Sequence, residues 1–213
     1  AENGGEEVLR LWRFSRPVVV IGRGSKAQGE VDLDFCRQQS IPVLRRCSGG
    51  ASILAGPQCW MYSVVLNLER RPLLRNVDSA HQFVMTRLAR AVAQQQPAVE
   101  LCGICDLTLN RKKFSGNSLR IAKNHLLYHG TVLQHVDLEL LTNCLRTPPR
   151  QPDYRSGRSH DQFVTAINLD ADRLSDALAA EYEVTEPRTA WPELASRELM
   201  RSKYACDAWN LRH

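Results

Sequence analysis

Between Asp106 and Thr131 apolar residues recur on either side of a polar segment that carries glycine, and a chain with this pattern must build a sheet around that segment. Leu107 and Leu109 mark one strand, and Leu126, Leu127, Val132 and Leu133 mark another, with a turn expected at Ser115-Gly116-Asn117 and a second at His129-Gly130-Thr131. The same stretch holds Asp106 and the basic cluster Arg111, Lys112 and Lys113, a mixture that packing alone rarely requires. A lysine at a strand end, followed by a glycine that lets a ligand approach the backbone, suits an anionic group.

The rest of the chain reads as strands and helices in irregular order. Val8–Phe14 alternates as a strand and Pro17–Ile21 is a short buried one, expected to pair antiparallel with it. A short helix from Asp32 carries Leu33, Phe35 and Cys36. Ile41–Leu44 then delivers Arg45 and Arg46 to a loop at Ser48-Gly49-Gly50, where glycines leave backbone N–H groups uncovered and arginines offer forked donors. Trp60–Asn67 is a further strand. Ser79 caps a helix predicted from Ala80 to about Gln95, Ala98–Cys102 returns to the sheet, and the strand through Thr131 continues to about Val136. Leu138, Leu141 and Leu145 define a helix stopped by Pro148-Pro149, Arg150–His160 is a mobile loop, and two amphipathic helices span Ala171–Glu183 and Pro192–Cys206. This order implies an α/β or α+β domain with a mixed sheet flanked by helices.

Composition narrows the function classes. The 213 residues are long enough for one substantial core, and one domain is the expectation. No apolar run approaches the roughly 18 residues of a membrane span, and the acidic start lacks a signal-peptide pattern, so no membrane role and a cytoplasmic setting are expected. Seven scattered cysteines, an odd number, indicate reduced thiols; Cys102 and Cys105 lack the further ligands of a zinc site and read as strand-end residues. A net charge of +5 without an aromatic-interleaved basic patch implies no nucleic acid, and suits a surface complementary to an acidic protein domain. Gly22-Arg23-Gly24-Ser25 lacks the Lys of a phosphate loop and reads as a strand-ending turn, with Arg23 still within reach of a site; Arg70 and Arg71 read as surface.

Three motifs in order resemble one family. Arg111-Lys112-Lys113-Phe114-Ser115-Gly116-Asn117 followed by His129-Gly130-Thr131 is similar to the lysine motif and His-Gly-Thr segment of the lipoate–protein ligase and octanoyltransferase family. Arg45-Arg46-Cys47-Ser48-Gly49-Gly50-Ala51 resembles its Arg-Arg-x-Ser-Gly-Gly-Gly lipoate-binding loop, and Lys203-Tyr204 through Trp209-Asn210 resembles the ending of its catalytic domain. The resemblance implies the fold shared by biotin and lipoate ligases and class II aminoacyl-tRNA synthetases. It implies one catalytic domain over residues 1–213 without a C-terminal accessory domain, and some sequence ahead of Ala1.

As function the resemblance implies a lipoate–protein ligase, which makes lipoyl-AMP from lipoate and ATP and passes the lipoyl group to a lysine of an acceptor domain. Lys113 is then the catalytic residue. Arg46, Ser48, Gly49, Gly50, Ala51, Ser115, Gly116, Asn117, His129, Gly130 and Thr131 bind substrate, Asp106 holds Mg²⁺ on the phosphates, and Tyr154, Arg155 and Arg158 enclose the nucleotide. Partners would be lipoyl domains of 2-oxoacid dehydrogenases or the glycine cleavage H protein, together with a separate accessory subunit. Ala51 and Ala55 depart from the family pattern and leave substrate choice open. Two other readings stand beside this one. An octanoyltransferase would carry an acyl thioester on Cys144, although Leu-Thr-Asn-Cys-Leu lacks the Pro-Cys-Gly setting of one branch; a non-catalytic member would only bind a lipoyl domain or ligand. Biotin ligation is disfavoured because its Lys-Trp-Pro-Asn motif is missing.

Overall fold

The structure, a computed structural model, describes residues 5–135, 137–188 and 190–212. In chain order the elements are β1 (Val8–Trp12), β2 (Val18–Ile21), α1 (Ala27–Glu30), α2 (Leu33–Gln38), β3 (Val43–Arg45), β4 (Ile53–Ala55), β5 (Cys59–Asn67), α3 (Val77–Ala93), β6 (Glu100–Cys102), β7 (Asp106–Leu109), β8 (Lys112–Ile121) and β9 (His125–Leu133). Then follow α4 (Leu138–Cys144), α5 (His160–Phe163), α6 (Ala171–Glu181), α7 (Glu193–Leu199), a π-helical turn at Met200–Tyr204 and α8 (Asp207–Asn210). Among the described residues no helix is long and apolar enough to cross a membrane.

Two sheets carry the strands. The larger has the order β1-β5-β9-β8-β7-β6 and is antiparallel throughout; the smaller, β3-β2-β4, holds the parallel pair β2–β3. The expected pairing of the first two strands is therefore corrected. β1 joins β5, whereas β2 is the centre of the smaller sheet, because all four of its residues are apolar and buried and so need cover on both faces and both edges. The class expected from sequence, helices on a sheet with mixed pairing overall, is the one observed.

Helices α3 and α6 cover one face of the larger sheet, where Val84, Met85, Leu88 and Leu174 pack on Tyr62, Leu66, Leu126 and Tyr128. A second core joins the smaller sheet to α1, α2 and α4 through Val19, Ile21, Ala27, Cys36, Leu141 and Cys144. The other face of the larger sheet looks towards the smaller sheet, and the cavities lie between them.

Several boundaries differ from the sequence reading for local reasons. Helix α3 begins at Val77, because the Asn76 side chain accepts from the Ser79 N–H at 3.0 Å and is itself the cap. The strand through Thr131 ends at Leu133, and the expected end near Val136 falls outside the described residues. Helix α6 stops at Glu181, two residues before Glu183 turns left-handed, and the last predicted helix is split into α7 and the π turn.

Candidate active site

Gly116 is not a turn. Strand β8 runs through it without a break, and the reversal between β7 and β8 falls instead at Asn110 and Arg111, both with positive φ. What changes at Gly116 is the partner strand. From Lys112 to Gly116 β8 pairs with β7, and from Asn117 to Ile121 it pairs with β9. The gap that opens between β8 and β9 is filled by Val164–Ile167: Thr165 N–H donates to the Lys113 carbonyl at 2.9 Å and Ile167 N–H to the Leu133 carbonyl at 2.8 Å. His129-Gly130-Thr131 likewise lies inside a strand, β9.

A β-bulge decides where Lys113 points. Leu107 pairs with Ser115 but Thr108 pairs with Lys113, so Phe114 is an extra residue on β8. Simple alternation would put Lys113 and Gly116, three apart, on opposite faces. The bulge puts them on the same one. Lys113 Nζ lies 2.8 Å from Asp106 Oδ1, and a Cβ at position 116 would stand 2.9 Å from that ammonium. Tyr154 donates to the other Asp106 oxygen, Oδ2, at 2.8 Å.

Two cavities meet at this lysine. The first, about 370 Å³, is walled mainly by apolar side chains, among them Trp12, Phe14, Ile53, Met61 and Leu127, and reaches Cys47 and Tyr204. The second, about 140 Å³, has apolar walls that include Phe114, Leu141 and Phe163, and Arg146, Arg150, Arg155, His160 and Glu30 also line it. Lys113, Gly116, Thr131 and Ala51 line both. Arg155 is 3% exposed and its Nη2 has no partner among the described residues, leaving a buried donor beside the second cavity.

The two arginines ahead of the Ser-Gly-Gly loop are spent on backbone. Arg45, 2% exposed, gives its guanidinium to six carbonyls: Gly22, Arg23, Ser25, Trp209, Asn210 and Arg212. Its own N–H donates to Asn210 Oδ1 and its carbonyl accepts from Trp209 Nε1, each at 2.8 Å. The Lys-Tyr…Trp-Asn motif is thus the other half of a clamp, and it holds Tyr204 against the first cavity. Arg46 donates to the carbonyls of Val20, Gly49 and Ala51 and shapes the loop from behind; Gly50, at φ +87°, has no room for a side chain beside it. Neither arginine presents the free fork expected for a carboxylate.

Ser48, 2% exposed, bonds His129 Nε2 at 2.6 Å, and His129 lines the first cavity. Burial, then the neighbouring Arg46 charge, push the imidazole down to about 4, so it is neutral at physiological pH. Thr131 bridges the strand split, its hydroxyl accepting from Gly116 N–H at 3.2 Å. Asn117 lines the first cavity and Ser115 the second, while their polar side-chain atoms bond towards the core. Asn117 accepts from the Tyr62 hydroxyl and donates to Ser115 and the Cys105 carbonyl, and Gly130 is a glycine because a Cβ would meet that amide. Both side chains brace the sheet at the edge of the cavities.

Comparison with known proteins agrees with this geometry. A family model, the lipoyl protein ligase A/B catalytic domain, matches residues 1–182. The chain belongs to that family. Lipoate-protein ligase A subunit 1 of Thermoplasma acidophilum is 26% identical over 225 residues, covering 98% of this chain and 86% of its own length. Octanoyltransferase LipM of Brevibacillus brevis is 24% identical over 240 residues, covering 96% and 87%. Among solved structures, a T. acidophilum bi-partite lipoate protein ligase described with its E2 lipoyl domain has a TM-score of 0.82 at 22% identity, covering 99% of this chain and 86% of that one. A lipoate-protein ligase A bound with ATP has 0.81 at 22%, covering 98% and 87%, and a T. acidophilum protein with bound lipoic acid has 0.80 at 22%, covering 98% and 86%. These likenesses show the fold.

Within this lipoyl ligase family member, three sequence expectations find no support in the arrangement. Cys144 is fully buried in the smaller core, lines neither cavity, and has its thiol pushed up to about 12 by burial; it is a packing residue. Arg23 is exposed at a strand-ending turn whose carbonyls serve Arg45. Asp106 has both oxygens engaged, by Lys113 and Tyr154, and among the described residues no group of three acidic, His or Cys side chains gathers around a common point. That carboxylate is committed to Lys113 and Tyr154 in this structure.

Segment Arg150–His160 is also not a free loop. Arg158 donates to the carbonyls of Arg111, Tyr154 and Arg155, and with Arg155 it covers the Phe163 ring. From the sequence a hydrophobic slot for an acyl chain is expected behind Ser48-Gly49-Gly50, but the residues that wall the first cavity, and roles for Cys47 and Glu30, are not assigned. Tyr204 was visible in a motif but without a role.

Proposed function

We propose that the chain is a lipoate–protein ligase: it activates lipoate with ATP and transfers the lipoyl group to a lysine of an acceptor domain. One observation carries the reading, Lys113 on the wall shared by a larger apolar cavity and a smaller one that three arginines border. Forming an acyl-adenylate brings a carboxylate against an α-phosphate, and two anions approach only where fixed positive charge lies between them. An acyl chain ending in a carboxylate suits the first cavity, and the phosphates suit the second. The Lys113 ammonium, held by Asp106, is then aimed before either arrives. Thr131 and Gly116 keep the strand split open at the junction, and the Arg46-shaped loop closes it from the smaller sheet. His129, neutral, adds no competing charge.

In the second step the acceptor amine attacks the acyl carbonyl, oxygen takes up charge, and AMP departs as an anion. Lys113 faces both charges from one position. Support for the substrates and partner comes from relatives: solved family folds carry lipoic acid or ATP, and one is described with its E2 lipoyl domain. A relative named as subunit 1 and a bi-partite ligase suggest a separate accessory chain here, and the thiol-rich composition suits the cytoplasm. Lipoate-dependent exchange of pyrophosphate with ATP tests the first step, and lipoyl transfer to a purified lipoyl domain tests the second.

The second reading is octanoyl transfer, favoured by the similarity to LipM and by Cys47, the thiol that lines the acyl cavity. An octanoyl adduct on Cys47 in mass spectra after incubation with octanoyl carrier protein, without pyrophosphate exchange, would select it.

A further inference from the structure

We propose that Tyr154 is a positioning residue for the ligase reaction, fixing the Asp106 carboxylate and, through it, the ammonium of Lys113. The inference rests on the ligase reading above. A lysine side chain has four rotatable bonds, and a lone carboxylate partner can turn about its own axis, so the pair alone leaves the ammonium spread over several positions. Here one carboxylate carries two partners on different oxygens. Lys113 Nζ takes Oδ1 at 2.8 Å and the Tyr154 hydroxyl donates to Oδ2 at 2.8 Å, with Asp106 only 7% exposed. Charge-assisted hydrogen bonds in such surroundings are the strong kind.

The tyrosine is itself held. Its ring lies over Gly103, where a Cβ would stand 3.3 Å from Cε1, and packs on Phe163 with centroids 5.2 Å apart. Arg158 ties the Tyr154 carbonyl at 2.7 Å to the start of β8 through the Arg111 carbonyl at 3.1 Å. The turn that carries the hydroxyl and the strand that carries the lysine therefore form one unit. Tyr154 lines neither of the two cavities, so its effect on chemistry runs through Asp106. It also gives Asp106 a duty that does not require a cation: both oxygens are used to set the lysine.

Tyr154→Phe keeps the ring on Gly103 and Phe163 and removes only the hydroxyl. The expected result is a drop of about tenfold in the rate constant of lipoate-dependent pyrophosphate exchange, with KM for lipoate and ATP within about twofold, since the lost bond matters where charge develops. In a double-mutant cycle, Asp106→Asn with Tyr154→Phe is expected to be no slower than Asp106→Asn alone; losses that multiply would overturn the proposal. A second measurement needs no turnover. Reductive methylation followed by peptide mass spectrometry should modify Lys113 several-fold faster in Tyr154→Phe than in wild type, with Lys112 unchanged. Equal rates at Lys113 would refute the relay. Faster labelling in a protein that shows no exchange would uphold the relay while rejecting the ligase reading.

Discussion

The Lys113 side chain lies across the backbone of Gly116, its Cε 2.8 Å and its Nζ 2.9 Å from where a Cβ at that position would stand. The glycine is required by the lysine rather than by the backbone, because Gly116 has no positive φ and sits within a strand. Gly116→Ala should therefore fold, the flexible end of Lys113 giving way, with a stability loss within about 1 kcal/mol. The displaced ammonium should lower exchange by roughly 10²-fold, as when one preorganised donor is lost. Thermal melts beside exchange rates check both; a large stability loss with normal specific activity would contradict the geometry.

Arg45 and Arg46 should separate by assay. Arg45→Ala strands six carbonyls and the C-terminal clamp, so it should cost about 3–5 kcal/mol and expose residues 204–212 to proteases. Arg46→Ala should leave that segment protected and weaken lipoyl-AMP binding by loosening the Gly49–Ala51 loop. Limited proteolysis with isothermal titration of a non-hydrolysable analogue distinguishes them.

His129 sets a pH dependence of stability. The unfolded chain takes up this proton near pH 6.5, whereas the folded state resists it to about 4. Between those values the unfolded state binds more protons, so stability falls as pH drops from about 6.5 and levels off below about 4. The loss is on the order of 2 kcal/mol after allowance for partial solvation. His129→Gln should flatten that part of the curve in urea titrations; an unchanged slope would mean the imidazole protonates normally.

Cys144→Ala should retain exchange and transfer within about twofold, while losing on the order of 1 kcal/mol of stability from the packed core. Abolished transfer would place the nucleophile where the structure shows packing.

Local pattern made most strands and the longer helices legible, because apolar alternation and helical stripes report which face is buried, but it missed β4 and read the polar strand β8 as a turn. Motifs also singled out Lys113, His129 and Thr131, which the fold brings together on the wall of the first cavity. What escaped the sequence depends on partners far along the chain. The bulge at Phe114 is a mismatch between two strands, so neither strand alone reveals it. The Arg45 fork meets carbonyls more than 160 residues away, and the Asn117 side chain is turned to the core by Tyr62 on another strand. Glycine misled for a related reason: at position 116 it answers a side chain lying across it, not a reversal. Asn76 outcompeted Ser79 as a cap within a single turn, a difference that propensity does not resolve.

The central claim is that one fixed ammonium at the junction of the two cavities drives adenylation. Its most direct test is lipoate-dependent ATP–pyrophosphate exchange in wild type, Lys113→Ala and Lys113→Arg. The account predicts exchange in the wild type, a loss of roughly 10²–10³-fold in the alanine variant, and poor recovery with arginine, whose planar fork does not replace a compact charge. Exchange that survives Lys113→Ala within a few-fold would contradict it.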